Sequence, residues 1–148
     1  MRDNLLQPYV GINDLNLYDT EDNIRAILKE QSMSFNVDVW DNRECSVQVP
    51  WTIYQLENGI SLFFANHKLF KIVAGYPFEG KLSNGIFIGM LMDEAKKIDG
   101  LLSFNEWNED YESPEGYWIE DDPASNTVLT LSVFIREIDD ECFEKYQW

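Results

Sequence analysis

The segment that decides the fold is residues 51–74, WTIYQLENGISLFFANHKLFKIVA. It holds three stretches of strand length that are rich in β-branched and aromatic residues, with short polar turns between them. The first turn, Glu57-Asn58-Gly59, has Asn-Gly at its centre, which is a strong hairpin signal. The second turn is Asn66-His67. The segment therefore predicts a meander of antiparallel strands: one from Trp51, one over Ile60–Ala65 and one over Leu69–Ala74.

The period of two also extends upstream of this segment. Residues 35–39 alternate between apolar and polar, Asp41-Asn42 supplies turn chemistry, and residues 45–49 alternate again. This pattern predicts a hairpin ahead of the meander.

A helix is expected from Thr20 to about Gln31. Thr20 is a suitable N-cap, and two acidic residues follow it in the first turn, where they complement the helix dipole. Ile24, Ile27 and Leu28 then recur at helical spacing and form one apolar stripe.

Downstream of the meander, residues 75–85 contain three glycines and one proline and predict a connection between two halves. A short strand over residues 86–88 and a helix over Met92–Ile98, with Gly100 as its C-cap, are expected next. The apolar pattern Leu15, Leu17, Ile24 and Ile27 matches the pattern Ile86, Ile88, Ala95 and Ile98 in spacing. The match suggests two strand–helix–strand units, at about residues 11–75 and 82–136.

The final third adds strands near residues 101–104, 116–119 and 127–135, and the last of these is apolar enough to be central in a sheet. A chain of 148 residues is long enough for one ordinary core and favours a single domain. The expected fold class is α+β: an antiparallel β-sheet meander with two or three short helices packed mainly on one face.

Charge is the strongest functional signal in the composition. The chain has 27 Asp and Glu residues against 11 Lys and Arg residues, a net charge of -16. Such a field repels nucleic-acid phosphates and anionic membranes, and it speeds encounter with a basic protein. Residues 101–148 alone hold thirteen acidic and two basic residues, so most of the charge belongs to this part.

The densest stretch, residues 106–122, has eight carboxylates and no basic residue, with Trp and Tyr side chains among them. Large aromatic side chains between acids suit a surface that binds a basic protein. A solvated loop anchored by its aromatic residues is the alternative, with Trp118 expected in the core and residues 109–112 in an exposed loop. The candidate partner-binding residues are Glu106, Trp107, Glu109, Asp110, Tyr111, Glu112, Glu115, Tyr117, Glu120, Asp121 and Asp122.

The sequence gives little support to an enzyme, because the motifs that catalysis would need are incomplete. The one histidine, His67, falls in a turn, and Gly85-Ile86-Phe87-Ile88-Gly89 lacks the rest of a phosphate-binding loop. The acids of residues 110–121 do not follow the register of a calcium loop. Cys45 and Cys142 are expected as free thiols in a reducing, cytoplasmic setting, since no signal-like start or membrane-length apolar run is present. We expect no catalytic residue set, no metal and no cofactor.

Three segments together suggest a family resemblance: residues 85–90 (GIFIGM), residues 94–99 (EAKKID) and residues 115–120 (EGYWIE). With the acidic charge, they resemble the immunity proteins of bacterial contact-dependent growth inhibition and related polymorphic toxin systems. The resemblance implies a non-enzymatic protein that binds a cognate toxin domain, commonly a basic nuclease, and blocks it. Two alternatives remain open: a DNA-mimic inhibitor with charge spread evenly over its fold, and a small hydrolase with two converging acids of raised pKa in a deep pocket.

Overall fold

The computed structural model describes residues 4–40, 49–140, 143–145 and 148. Within these residues the chain forms two α-helices, α1 (Glu21–Glu30) and α2 (Met92–Ile98), and two short 3-10 turns, Arg136–Asp139 and Phe143–Lys145. The strands are β1 (Leu5–Gln7), β2 (Gly11–Ile12), β3 (Leu15–Asn16), β4 (Phe35–Trp40), β5 (Trp51–Leu56), β6 (Ile60–Ala65), β7 (Lys68–Ala74), β8 (Lys81–Leu82), β9 (Ser103–Asn105), β10 (Asp110–Ser113), β11 (Tyr117–Asp122) and β12 (Thr127–Phe134).

The fold is mostly antiparallel β-sheet, with few helices, and belongs to the α+β class. Eight strands form one sheet in the order β4-β5-β6-β7-β12-β11-β10-β9. Two four-stranded meanders thus meet at the β7–β12 pair in the middle of the sheet. A small sheet of order β3-β2-β1-β8 lies beside it, and its β1–β8 pair is parallel.

One face of the large sheet carries both helices. Cross-strand partners share a face, and a row of buried residues runs across five strands: Tyr54, Leu62, Ile72, Val133 and Tyr117. The Tyr54 hydroxyl is bonded to side chains of α1, and the Tyr117 hydroxyl is bonded to Asp99, the C-cap of α2. We call this the helix face, and the opposite side of the sheet the open face.

The two halves of the chain repeat the same backbone contacts around their helices. In the first half, Tyr18 N donates to Leu69 O, Leu69 N to Asp19 O and Glu21 N to His67 O, at 2.8, 2.9 and 2.7 Å. In the second half, Gly89 N donates to Val128 O, Val128 N to Met90 O and Met92 N to Asn126 O, each at 2.8 Å. The residues that make these bonds at the start of the two helices correspond in sequence. The offset that aligns Leu15 with Ile86 and Ile24 with Ala95 also aligns Tyr18 with Gly89 and Glu21 with Met92. A register irregularity also falls near the start of both central strands.

The structure confirms the predicted helices and the central meander. Asn23 N donates to Thr20 Oγ1 at 3.2 Å, which makes Thr20 the N-cap of α1. The second helix has the expected bounds, but its C-cap is Asp99, and Gly100 follows it. No helix in the described part of the chain is long and apolar enough to cross a membrane.

Two expectations about local structure are wrong. Residues 86–88 form no strand, and only an isolated Lys81–Phe87 bridge lies there. Residues 110–113 are strand β10 and not a loop, because they pair with β9 on one side and β11 on the other. The turn at Asp41-Asn42, the alternation over residues 45–48 and both cysteines, Cys45 and Cys142, lie outside the described residues.

Candidate functional site

Most of the acidic candidate residues come together at one end of the sheet. The pairing of Tyr111 with Ile119 sets the start of β10 beside the end of β11. The turn over residues 106–109 that precedes β10 lies at that same end. We call this group the acidic tip: Glu106, Trp107, Glu109, Asp110, Glu120, Asp121 and Asp122.

Trp107 stands at the apex of the acidic tip. Asn105 Oδ1 accepts hydrogen bonds from Trp107 N at 2.9 Å and from Asn108 N at 3.2 Å, which tightens the turn. Glu109 completes the reversal with a φ of 56°. The Trp107 residue is 97% exposed, so its indole contributes almost nothing to the core. A tryptophan in this position is available to a partner.

The remaining candidate residues lie elsewhere. Tyr117 is 1% exposed and belongs to the core, so it presents no surface to a partner, and this corrects its assignment to the interface. Tyr111 is half-buried on the helix face. The centroid of its ring lies 5.1 Å from the ring centroid of Phe104 and 5.0 Å from the ammonium of Lys96. Glu115 is exposed at the opposite end of β10.

A buried polar cluster fixes the acidic strands to α2. Asp99 Oδ2 accepts hydrogen bonds from Ser113 Oγ at 2.6 Å and from Tyr117 Oη at 2.5 Å, and Asp99 Oδ1 accepts one from Leu101 N at 3.0 Å. Burial alone would raise the pKa of Asp99, but these three bonds together lower it. Burial and the neighbouring Asp99 raise the pKa of Tyr117. The cluster therefore holds an ionised carboxylate against β10 and β11.

The open face carries a cavity of about 730 Å³ that sequence reasoning did not anticipate. Alternation along β10 places Asp110 and Glu112 on this face, and Glu120 of β11 joins them. The opposite wall consists of Trp51 and Phe63, which come from the first half of the chain.

Lys71 lies in this cavity among aromatic rings. Its ammonium is 4.3 Å from the ring centroid of Phe63, 5.6 Å from that of Trp51 and 5.9 Å from that of Trp118. Within the described ranges it has no ion pair at 4 Å or less. Burial lowers the pKa of Lys71 to about 8, and the attraction of Asp110 opposes that effect only in part.

Asp110, at the start of β10, contributes a perturbed carboxylate to the cavity. Burial raises its pKa, and repulsion from Glu112 and Glu120 adds to the effect. Its Oδ1 atom is buried and accepts no hydrogen bond from any described residue. Glu120 differs, because its Oε1 accepts a hydrogen bond from Thr130 Oγ1 at 3.0 Å. Asp110 therefore has one buried carboxylate oxygen with an unmet need for a donor.

One sequence signal could have indicated this cavity. Lys71 interrupts an otherwise apolar strand, LFKIVA, at a position whose cross-strand partner is Phe63. A lysine in a central strand needs a solvated or paired environment for its ammonium, so its position predicts a polar opening on that face.

Other polar groups and cavities in the structure offer less for binding or catalysis. His67 is exposed in its turn, with Nδ1 3.5 Å from Glu21 Oε1, while Glu21 Oε2 accepts from Tyr54 Oη at 2.5 Å and from Arg25 Nη2 at 2.8 Å. A second cavity, of about 290 Å³, is lined largely by amide and aliphatic side chains. Among the described residues no group of three or more His, Cys, Asp or Glu side chains is arranged to hold a metal ion.

Comparison of the chain with protein-family models, with curated proteins and with solved structures gave no match. The immunity-protein resemblance thus stays a prediction. The acidic tip and the open-face cavity are the two features from which function is inferred.

Proposed function

We propose that this protein is a non-enzymatic, cytoplasmic immunity protein of a bacterial contact-dependent growth inhibition or related toxin system. It binds a cognate basic toxin domain, with a nuclease the expected class, and neutralises it. The observation that carries the proposal is Trp107, which is 97% exposed at the apex of a turn whose charged neighbours are all acidic.

The chemistry of the acidic tip suits a basic protein partner. A tryptophan that enters a pocket on the partner supplies a large apolar contact, and binding energy concentrates on such residues. The carboxylates around it would pair with Lys and Arg side chains that otherwise hold the phosphates of RNA or DNA. Charges at the rim chiefly set the association rate, whereas buried contacts set the dissociation rate.

The distribution of charge favours this proposal over an even DNA mimic. Residues 1–100 hold fourteen acidic and nine basic residues, whereas residues 101–148 hold thirteen and two. A mimic of a nucleic-acid backbone would spread its carboxylates over the fold. Here six of the thirteen acidic residues in 101–148 lie together around one aromatic anchor, Trp107: Glu106, Glu109, Asp110, Glu120, Asp121 and Asp122.

The hydrolase alternative receives less support. It requires two converging acids whose pKa values are pushed apart by their environment. The open-face cavity has acids on one wall, where burial raises the pKa of Asp110, and aromatic rings on the other. The aromatic side chains of Trp51, Phe63 and Trp118 in the same space favour recognition of a ligand.

The test uses the toxin encoded beside this protein, or the basic protein recovered with it from its native host. The variant Glu106→Lys/Glu109→Lys reverses two charges of the acidic tip. The variant Glu30→Lys/Glu57→Lys makes the same change in net charge at exposed sites of the first half and serves as the matched control. We expect the tip variant to slow association at least about tenfold and to flatten its salt dependence.

A second arm tests the anchor. The Trp107→Ala variant is expected to speed dissociation at least about thirtyfold, which corresponds to about 2 kcal/mol for a hot-spot residue. Equal effects of the tip and control variants, with unchanged dissociation of Trp107→Ala, would show that the acidic tip is not the interface.

A further inference from the structure

The open-face cavity joins two unlike walls. Trp51 and Phe63 supply an aromatic wall, and Asp110, Glu112 and Glu120 supply an acidic one. Its volume, about 730 Å³, falls in the range of sites that bind small organic groups.

We infer that this cavity binds a cationic organic group, a guanidinium or an alkylammonium. The group lies on the Trp118 ring and pairs with the carboxylates of Asp110 and Glu120. The assignment of this group to an arginine or lysine side chain of the toxin rests on the proposed function. The binding of a cationic group by the cavity does not.

Charge complementarity is the first support. The charged side chains that line the cavity are one ammonium, that of Lys71, and the carboxylates of Asp110, Glu112, Glu120 and Asp139. A second cation would relieve repulsion among the carboxylates, whereas an anion would be repelled by all of them. The cavity therefore selects for positive charge.

The second support is the unsatisfied oxygen of Asp110. The residue as a whole is only half-buried, yet its Oδ1 atom is buried without a hydrogen bond from the described chain. A guanidinium carries five N–H donors in a fixed plane, so a shift of the Asp110 side chain that exposes Oδ1 would let one N–H bond this oxygen while another bonds Glu120.

The third support is Lys71 itself. The cavity already holds one ammonium within 4.3 Å of an aromatic centroid, so its walls accept cations on ring faces. Lys71 also repels a second cation. Its removal should strengthen binding, an effect opposite in sign to that of a general structural defect.

The experiment uses the whole ¹⁵N-labelled protein and the probe Nα-acetyl-L-arginine amide. The matched probe Nα-acetyl-L-citrulline amide has nearly the same shape but no charge. We expect saturable shifts of the Trp118 indole N–H with the arginine probe, at least about fivefold weaker affinity for citrulline, and reduced affinity at high salt.

Variants locate the site and give the sign of each contribution. Asp110→Asn and Glu120→Gln should each weaken arginine binding about fivefold or more. Glu57→Gln, at an exposed turn position outside both the cavity and the acidic tip, should leave it unchanged. Lys71→Met should strengthen binding about threefold or more. The ¹H–¹⁵N spectrum of each variant without the probe verifies that it is folded.

Several outcomes would overturn the inference: no saturable binding, equal binding of the citrulline probe, shifts that do not include Trp118, or weaker binding by Lys71→Met. With the toxin in hand, a loss of toxin affinity in Glu120→Gln together with a gain in Lys71→Met assigns the cation to a toxin side chain, because Glu120 also belongs to the acidic tip whereas Lys71 lies only in the cavity. An unchanged toxin affinity beside a weakened probe affinity overturns that source and leaves a free small cation. Because the probe arm needs no partner, a failure of the proposed function does not affect it.

Discussion

Replacing Lys71 with methionine should stabilise the protein at neutral pH. The ammonium of Lys71 lies among Phe63, Trp51 and Trp118 rather than in bulk water. Its pKa falls from 10.5 to about 8 because the charged form is disfavoured there. Methionine keeps most of the aliphatic stem and removes the charge.

The size and the pH dependence of the effect follow from linkage. Below about pH 8 both the folded and the unfolded states hold the proton, so the charged lysine lowers stability in full. Between about pH 8 and 10.5 the unfolded state binds more protons than the folded state, so the wild type gains stability as pH rises. The full shift corresponds to about 3 kcal/mol, and loss of the cation–π contacts together with partial solvation of Lys71 reduces the expected gain to about 1 to 2 kcal/mol.

The measurement is urea unfolding of the wild type and Lys71→Met at pH 7 and at pH 9.5, with thermal unfolding in parallel. At pH 7 we expect a higher midpoint and a Tm increase of about 2 to 8 °C, and at pH 9.5 a smaller difference. Lys81→Met, at an exposed position of the small sheet, is the control and should change stability by less than about 0.5 kcal/mol at both pH values. A Lys71→Met protein that is less stable than the wild type at pH 7, or a gain that does not shrink at pH 9.5, would refute this reasoning.

Three further substitutions test the surroundings of the acidic tip. Tyr117→Phe keeps the ring but removes the 2.5 Å bond to Asp99, so urea unfolding at pH 7 should show a loss of about 1.5 to 3 kcal/mol that becomes smaller once acid protonates Asp99; a loss below about 0.5 kcal/mol would contradict this role. Gly116→Ala should cost more than about 2 kcal/mol, because Gly116 has a φ of 100° and a Cβ there would lie 2.4 Å from the ring of Tyr9; a wild-type Tm would argue against that geometry. Trp107→Ala should leave the free energy of unfolding within about 0.5 kcal/mol of the wild type, and a larger loss would indicate that the indole packs on the fold.

Local signals in the sequence predicted the helices and the central meander. Thr20 caps α1 as expected, and the Asn-Gly turn at residues 58–59 separates β5 from β6. These elements are specified by short-range chemistry: a side-chain cap, an apolar stripe and a turn that needs a positive φ.

Strand β10 was missed for a different physical reason. Its sequence, Asp110–Ser113, contains two acids in four residues and was expected to be a solvated loop. The strand forms because neighbours on both sides satisfy its backbone and because alternation sends Tyr111 toward the helix face while its acids face the open side. Tertiary pairing thus overrides a weak local preference.

The acidic tip was largely predictable from the sequence, whereas the cavity was not, apart from the polar opening that Lys71 indicates. The tip depends on residues close in sequence, and its charge is visible in composition. The cavity depends on the placement of β7 beside β12, two strands separated by a long connection, and on the register that brings Lys71 near Asp110. No local pattern gives that order of strands.

The position of the cavity explains why its two walls differ. Val73 of β7 pairs with Ser132 of β12, and each is the sixth residue of its strand, so the axis that relates the two halves passes through this pair. Both residues line the cavity. A site on such an axis receives one wall from each half of the chain.

Equivalent positions in the two halves have acquired opposite chemistry on the open face. Lys71, the fourth residue of β7, pairs with Phe63, and Thr130, the fourth residue of β12, pairs with Glu120. One half thus supplies a ring beneath an ammonium, and the other supplies a carboxylate. On the helix face the corresponding positions, such as Ile72 and Leu131, are both buried and apolar, because the core needs the same property from each half. Packing accounts for the similarity of the two halves on the helix face but not for the difference between the two walls of the cavity. Recognition of a cation requires that difference, because it uses an aromatic ring on one side and a carboxylate on the other.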